Sequence, residues 1–210
     1  MNNEAKIHLS TVEMELVNNT EWIFTKQLII KKVYHLFGRL NEIFKRINNE
    51  ERQFLPLQLQ NSNGKISKGE NYKSLPYVIL DYPAIFNNEN IFAVRTIFWW
   101  GNFFSISLHL SGRFKYALNI ASAIQYLKER KFFVCVNKTQ WEHDYSPSNF
   151  VDINYLSKDD IDQLNEKSFF KISKKIELRK WNEAEIILEQ YFREIINLIK
   201  ISFQDDEIVL

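Results

Sequence analysis

Cysteine is nearly absent from this chain. One cysteine in 210 residues, Cys135, excludes an intramolecular disulfide and a zinc site built from cysteines. It sits in the apolar run Phe132-Phe133-Val134-Cys135-Val136, which reads as a buried strand with the thiol as a small core hydrophobe. Glycine is scarce too, with five in the chain. Neither a Gly-x-Gly-x-x-Gly nor a Walker A sequence is present, so the common nucleotide cradles have no support, and no cofactor is expected. Charge of either sign is missing as an excess. With 27 Lys+Arg against 26 Asp+Glu the net charge is +1, which argues against a nucleic-acid partner and against an acidic tail. There is no uncharged apolar stretch of the ~18 residues a membrane span needs. The polar start at 1–6 leads into no long apolar run, so no signal peptide is expected. These absences lead to the expectation of a cytoplasmic protein with no membrane contact, as a monomer or homodimer.

What is present is a globular composition: 45% hydrophobic and 15% aromatic residues, enough for a packed core. The bias toward lysine, isoleucine and asparagine suggests an AT-rich bacterial genome. At ~100–200 residues per domain, one domain is expected across 1–210. It divides into a helical part at 10–50, a strand-rich centre at 65–137 and a C-terminal helix at 182–201.

Ser10 and Glu13 have the spacing of a capping box and predict a helix start. Over 21–48 the apolar residues Ile29, Val33, Leu36, Phe37, Leu40, Phe44 and Ile47 recur every three or four positions, as one helical stripe. Gly38 inside that helix suggests a close approach of another element. An extended segment is expected at 54–60, followed by a turn at 61–64. Strands are predicted at 76–82, 91–100, 103–111 and 132–137, with one buried helix over 114–130. The stretch 139–155 is irregular. Ser157 with Asp160 resembles a second cap, for a helix running to about Asn165. A last strand at 168–178 carries Lys171, Lys174 and Lys175, a pattern that marks an edge. Strands adjacent in sequence and flanked by helices predict an α+β fold with a largely antiparallel, curved sheet.

The central segment carries the most chemistry. It contains Tyr72-Lys73-x-x-Pro76 opening a strand, then aromatic-rich strands ending in His109-Leu110-Ser111-Gly112. Together with Lys167-Ser168-Phe169-Phe170 and the helix beyond, this resembles the YktB-like bacterial families of unknown function, over about 65–112 and 165–200. The resemblance implies a compact α+β domain with a curved sheet and no assigned activity.

Period-2 alternation puts Ser105, Ser107 and His109 on one face of their strand and Phe104, Ile106, Leu108 and Leu110 on the other. A two-residue turn at Gly101-Asn102 would set Arg95 opposite Leu108 on the apolar side. A three-residue loop over 101–103 sets it opposite His109 instead. Keeping the guanidinium out of the core favours the second register, which gathers Arg95, Trp99, Ser105, Ser107 and His109 on one face. This face is the candidate ligand site. Arg95 would meet an anionic or carboxylate group, His109 would add a donor, Ser107 would stand beside them, and Trp99 would form an apolar wall. Lys73 and Tyr72 are candidate contacts from the preceding loop, 68–73, read as solvated. Glu142, His143 and Asp144 are consecutive and cannot all face one ion, so no metal is expected.

Three functional classes follow. The preferred one is a small-molecule or peptide binding module on the aromatic sheet face. An enzyme using Arg95, His109 and Asp81, and a domain binding a partner protein through exposed aromatics, are the alternatives.

Overall fold

Residues 7–203 are described by a computed structural model. The polar start at 1–6 lies outside them. Ser10 caps α1, Thr11–Asn18, and both halves of its capping box with Glu13 form. Asn19 then caps α2, Thr20–Glu50, by accepting from the Trp22 N–H. The stripe of α2 buries Val33, Phe37, Leu40, Phe44 and Ile47, spaced four, three, four and three as a 3.6-residue period requires. Leu36 lies at the flank and is only half-buried. A methyl group on Gly38 would meet nothing within 4 Å, so this glycine serves no close approach. The segment expected to be extended after α2 instead folds into a 3-10 turn, Arg52–Phe54, and a short helix, α3, Leu57–Gln60.

Among the described residues seven strands follow: β1 Lys65–Tyr72, β2 Leu75–Phe86, β3 Ile91–Trp99, β4 Phe103–Ser111, β5 Phe133–Cys135, β6 Phe150–Asp152 and β7 Phe169–Glu177. They form one antiparallel sheet in the order β1-β2-β3-β4-β7-β5-β6. The fold is α+β, as expected.

Several expectations need correction. Residues 68–73 are not the expected solvated loop: most of them belong to β1, which pairs with β2. Their charges and Gly69 suit an edge strand. The final strand is not an edge, because β7 lies between β4 and β5. Two of its lysines are buried because covering elements supply their partners. Lys174 pairs with Glu194 at 2.6 Å and lies 4.0 Å from the centre of the Tyr191 ring. The single helix expected over 114–130 is two, α4 Arg113–Tyr116 and α5 Ile120–Lys128. Asn119 breaks it, accepting from the Ser122 N–H while its own N–H donates to the Ser202 carbonyl at 2.7 Å. Ser157 caps α6, Lys158–Glu166, with its capping box formed. A 3-10 stretch then leads into α7, Ala184–Ser202.

The β3–β4 register also differs. Trp99 pairs with Phe103, Arg95 with Ser107 and Ala93 with His109. The loop is therefore Trp100-Gly101-Asn102, with Gly101 at φ +72°, where only glycine is unstrained. Arg95 and His109 are diagonal rather than directly opposed. Desolvation of Arg95 did not select the register, because Asp81 of β2 stands directly opposite it and compensates its charge. The slip from the expected pairing is two residues, so every side chain keeps its expected face.

One sheet face packs on α2, α5 and α7 through a continuous core that includes Leu80, Phe92, Val94, Phe98, Phe104, Ile106, Leu108, Phe170 and Ile172. Phe44 of α2 and Phe192 of α7 stack at 4.0 Å within it. The other face carries Tyr77, Ile79, Asp81, Arg95, Ile97, Trp99, Ser107, His109, Lys171 and Ser173. An irregular strap, 136–149, crosses part of that face between β5 and β6.

Candidate functional site

The strap packs on the β4 and β7 side of this face and reaches over the β1–β3 side through Trp141 and His143. It is held from below and from one end. Below it, Lys171 is fully buried and has no carboxylate partner among the described residues. Its ammonium donates to the Gln140 carbonyl at 2.9 Å, the Glu142 carbonyl at 2.5 Å and, more weakly, His143 Nδ1 at 3.4 Å. Burial, opposed in part by the neighbouring Cys135 and Glu142, brings this lysine down to about 8. The Tyr145 hydroxyl meets Ser173 Oγ at 2.5 Å.

At the end, the β1–β2 hairpin turns through Lys73 and Ser74, both at positive φ, as a tight hairpin demands. This places Tyr72 and Lys73 against the strap. The Tyr72 hydroxyl donates to Glu142 Oε2 at 3.0 Å and accepts from the His143 N–H at 2.8 Å and the Asp144 N–H at 3.2 Å. Lys73 pairs with Asp144 at 2.6 Å. Burial raises the Asp144 carboxyl, but Lys73 and the Ser146 donors outweigh it and hold the group well below the usual carboxylate range.

Between strap and sheet lies a cavity of about 220 Å³. It is lined by Tyr72, Tyr77, Ile79, Arg95, Ile97, Trp99, Phe103, Trp141 and His143. Gly69, opposite Tyr77 in the ladder, makes one wall possible. A methyl group there would come within 2.4 Å of the Tyr77 ring.

Three of the residues first selected therefore line one cavity: Arg95, Trp99 and Tyr72. The other three stand outside it. Ser107 is buried and donates to the Arg95 carbonyl at 3.4 Å. Lys73 secures the strap. His109 is buried with Nε2 at 2.7 Å from Gln140 Oε1. Sequence reasoning missed His143, Trp141, Tyr77 and Phe103 as lining residues. The cluster Trp141-Glu142-His143-Asp144-Tyr145 was the available signal, but its irregular backbone gave no phase from which to place it.

Arg95 is not a free cation. Its Nε and Nη2 donate to the two Asp81 oxygens at 2.7 and 2.9 Å, a bidentate pair. The remaining nitrogen, Nη1, has no protein partner among the described residues. The Trp99 indole N–H is likewise buried without a partner. Burial first, then the positive charges of Lys171 and Arg95, hold His143 well below its ordinary value. It is thus neutral at pH 7, and with an ammonium donating to Nδ1 its proton sits on Nε2. Among the described residues no group of His, Cys, Asp or Glu side chains is arranged to hold a metal ion.

Burial also brings His109 down to about 4, with Lys171 and Arg95 adding to the effect against the Gln140 bond. A histidine depressed in the fold contributes stability that is intact above its unfolded value near 6.5 and is lost as pH falls toward 4. His109 should account for about 2–3 kcal/mol of lost unfolding free energy between pH 7 and 4.5. Urea unfolding at the two pH values measures this. His143, also held down by burial, adds to the loss over the same range, so His109→Gln should remove about 2–3 kcal/mol of the difference and not the whole; a variant that keeps all of it would place the titration elsewhere.

Fold and site together define an antiparallel α+β protein with a strap-covered aromatic cavity on the open sheet face. Compared with protein-family models, curated proteins and solved structures, the chain matches none. Among the described residues no helix is long and apolar enough to cross a membrane.

Proposed function

We propose that the chain is a small-molecule binding module whose ligand is a single planar ring carrying hydrogen-bond acceptors. One observation carries this reading. The cavity has five aromatic residues in its lining, and donors predominate among the uncommitted polar groups of that lining: Arg95 Nη1, His143 Nε2 and the Trp99 and Trp141 indole N–H groups, beside the Tyr77 hydroxyl, which can donate or accept. Its volume lies below the ~300–1,000 Å³ of drug-sized sites, which favours one ring over two. The charges around it also balance. Arg95, Lys73 and Lys171 stand against Asp81, Asp144 and Glu142, so a full anion is not required. Binding is favoured over turnover by the state of the histidine in the lining. His143 is held in its neutral form.

Benzamide and benzoate are suitable probes, with toluene as a ring lacking acceptors. Ligand-observed NMR should show both acceptor-bearing probes binding more tightly than toluene. Ile79→Trp, which fills the cavity from a half-buried wall position, should weaken binding at least tenfold with the thermal midpoint nearly unchanged. Equal binding by Ile79→Trp, or toluene binding as well as benzamide, would refute the site or its donor chemistry.

A further inference from the structure

The N-terminal helices carry an apolar surface that the fold leaves uncovered. No residue of α1 is buried, and the burial of α2 begins only at Val33. The first thirteen residues of α2, about 20 Å at 1.5 Å per residue, lie along the edge of the sheet and touch it on one side only, through Trp22 on Trp100 and Lys26 on Glu70, and with α1 they form an arm whose outer side is bare. Ten of the large hydrophobic residues most exposed in the molecule lie within 7–28, among them Val12, Met14, Leu16, Val17, Phe24 and Leu28. They expose on the order of 1,000 Å² per chain, where a stable interface buries ~800 Å² per partner.

Beside the arm runs a groove of about 550 Å³ between α2 and β1. Ile23, Ile30 and Tyr34 supply its apolar lining, and Lys26, Lys31, Lys68 and Glu70 its charge. Lys26 pairs with Glu70 at 2.8 Å. Lys31 and Lys68 have no ion-pair partner among the described residues. The groove is thus apolar with an excess of positive charge. Helix α1, Thr-Val-Glu-Met-Glu-Leu-Val-Asn, has the opposite character: four apolar residues, two glutamates and no base.

We infer that α1 of a second copy of this chain occupies this groove, and that two copies exchange arms about a twofold axis. Each chain offers one arm and one groove, so the assembly closes as a dimer. The chain's own groove is out of reach of its own α1. A single residue, Asn19, joins the helices, whereas reversing a helix pair takes ~2–8 residues. Charge also selects the occupant. Glu13, Glu15 and Glu21 precede Lys26, Lys31 and Lys32 along the arm, so an antiparallel partner sets acid against base. A lipid surface with anionic headgroups would repel the acidic tip.

Sedimentation equilibrium of the full chain at ~10–100 µM tests this. A dimer is expected. Leu16→Asp with Phe24→Asp should give a monomer that still unfolds cooperatively, since neither side chain is in the core, at a midpoint that no longer depends on protein concentration. Lys31→Glu with Lys68→Glu should weaken the dimer at least tenfold, and adding Glu15→Lys should restore part of the loss. A monomer throughout the range would overturn the inference, as would a dimer indifferent to the arm variant. A dimer lost with the arm but indifferent to the lysine changes would overturn the groove as its seat. Co-sedimentation of the monomer with phosphatidylcholine–phosphatidylserine vesicles, abolished by the arm variant, would assign the surface to lipid instead.

Discussion

Phe44→Ala should lower the unfolding free energy by about 3–5 kcal/mol. The residue lies in the apolar stripe of α2 and is fully buried, so the substitution loses the transfer energy of a whole ring. It also leaves a hole lined by Phe192, which stacks on it at 4.0 Å with the rings 7° from parallel. Phe192 belongs to α7 and cannot follow the missing ring without disturbing its own packing, so little of the cavity closes. The loss exceeds the surface-area contribution by the stacking interaction, about 0.5–1.5 kcal/mol. Phe37→Ala, two turns earlier and equally buried, should fall in the same range. Urea unfolding followed by far-UV circular dichroism measures both. A change below ~1 kcal/mol at Phe44 would mean that α2 and α7 do not form one core.

Arg95→Ala should cost about 2–4 kcal/mol, the second largest expected effect. The side chains of Arg95 and Asp81 are only 16% and 11% exposed. Removing the guanidinium leaves a carboxylate in a poorly hydrated wall with both oxygens deprived of their donors. The figure falls short of the full cost for a completely buried pair because the adjoining cavity lets some water reach Asp81. Arg95→Lys should recover only part of the loss, since an ammonium cannot reproduce the two-point contact. Arg95→Ala combined with Asp81→Ala should be less destabilising than the sum of the single changes, as expected of directly coupled groups. Arg95→Ala at wild-type stability would contradict the pair. This expectation replaces the one drawn from the sequence, in which Arg95 was a cation on the candidate ligand face, free to meet an anion.

The strand residues show why that reading fell short. Alternation along β3 and β4 told which side chains share a face, and this survived a register two residues from the one expected. Pairing energies could not be read from two strands in isolation, because the partner of Arg95 stands on β2. The lysines of β7 make the same point. A lysine-rich strand is an edge when its ammonium groups reach water. Lys171 and Lys174 instead reach two strap carbonyls and Glu194, all supplied by segments distant in sequence.

Local chemistry was therefore legible from the chain alone. The capping boxes at Ser10 and Ser157, the stripe of α2, the two-faced strands and the α+β class depend on residues a few positions apart, and the forces that fix them act over that distance. The cavity was not legible. It needs Tyr72 from a hairpin end, Arg95 and Trp99 from β3, and His143 from a strap with no periodicity. Those groups meet because Lys171, buried in a strand inserted between β4 and β5, holds the strap carbonyls down while Tyr72 and Lys73 hold its end. Such contacts join residues about thirty to seventy positions apart, and only the assembled sheet order brings them within hydrogen-bonding distance.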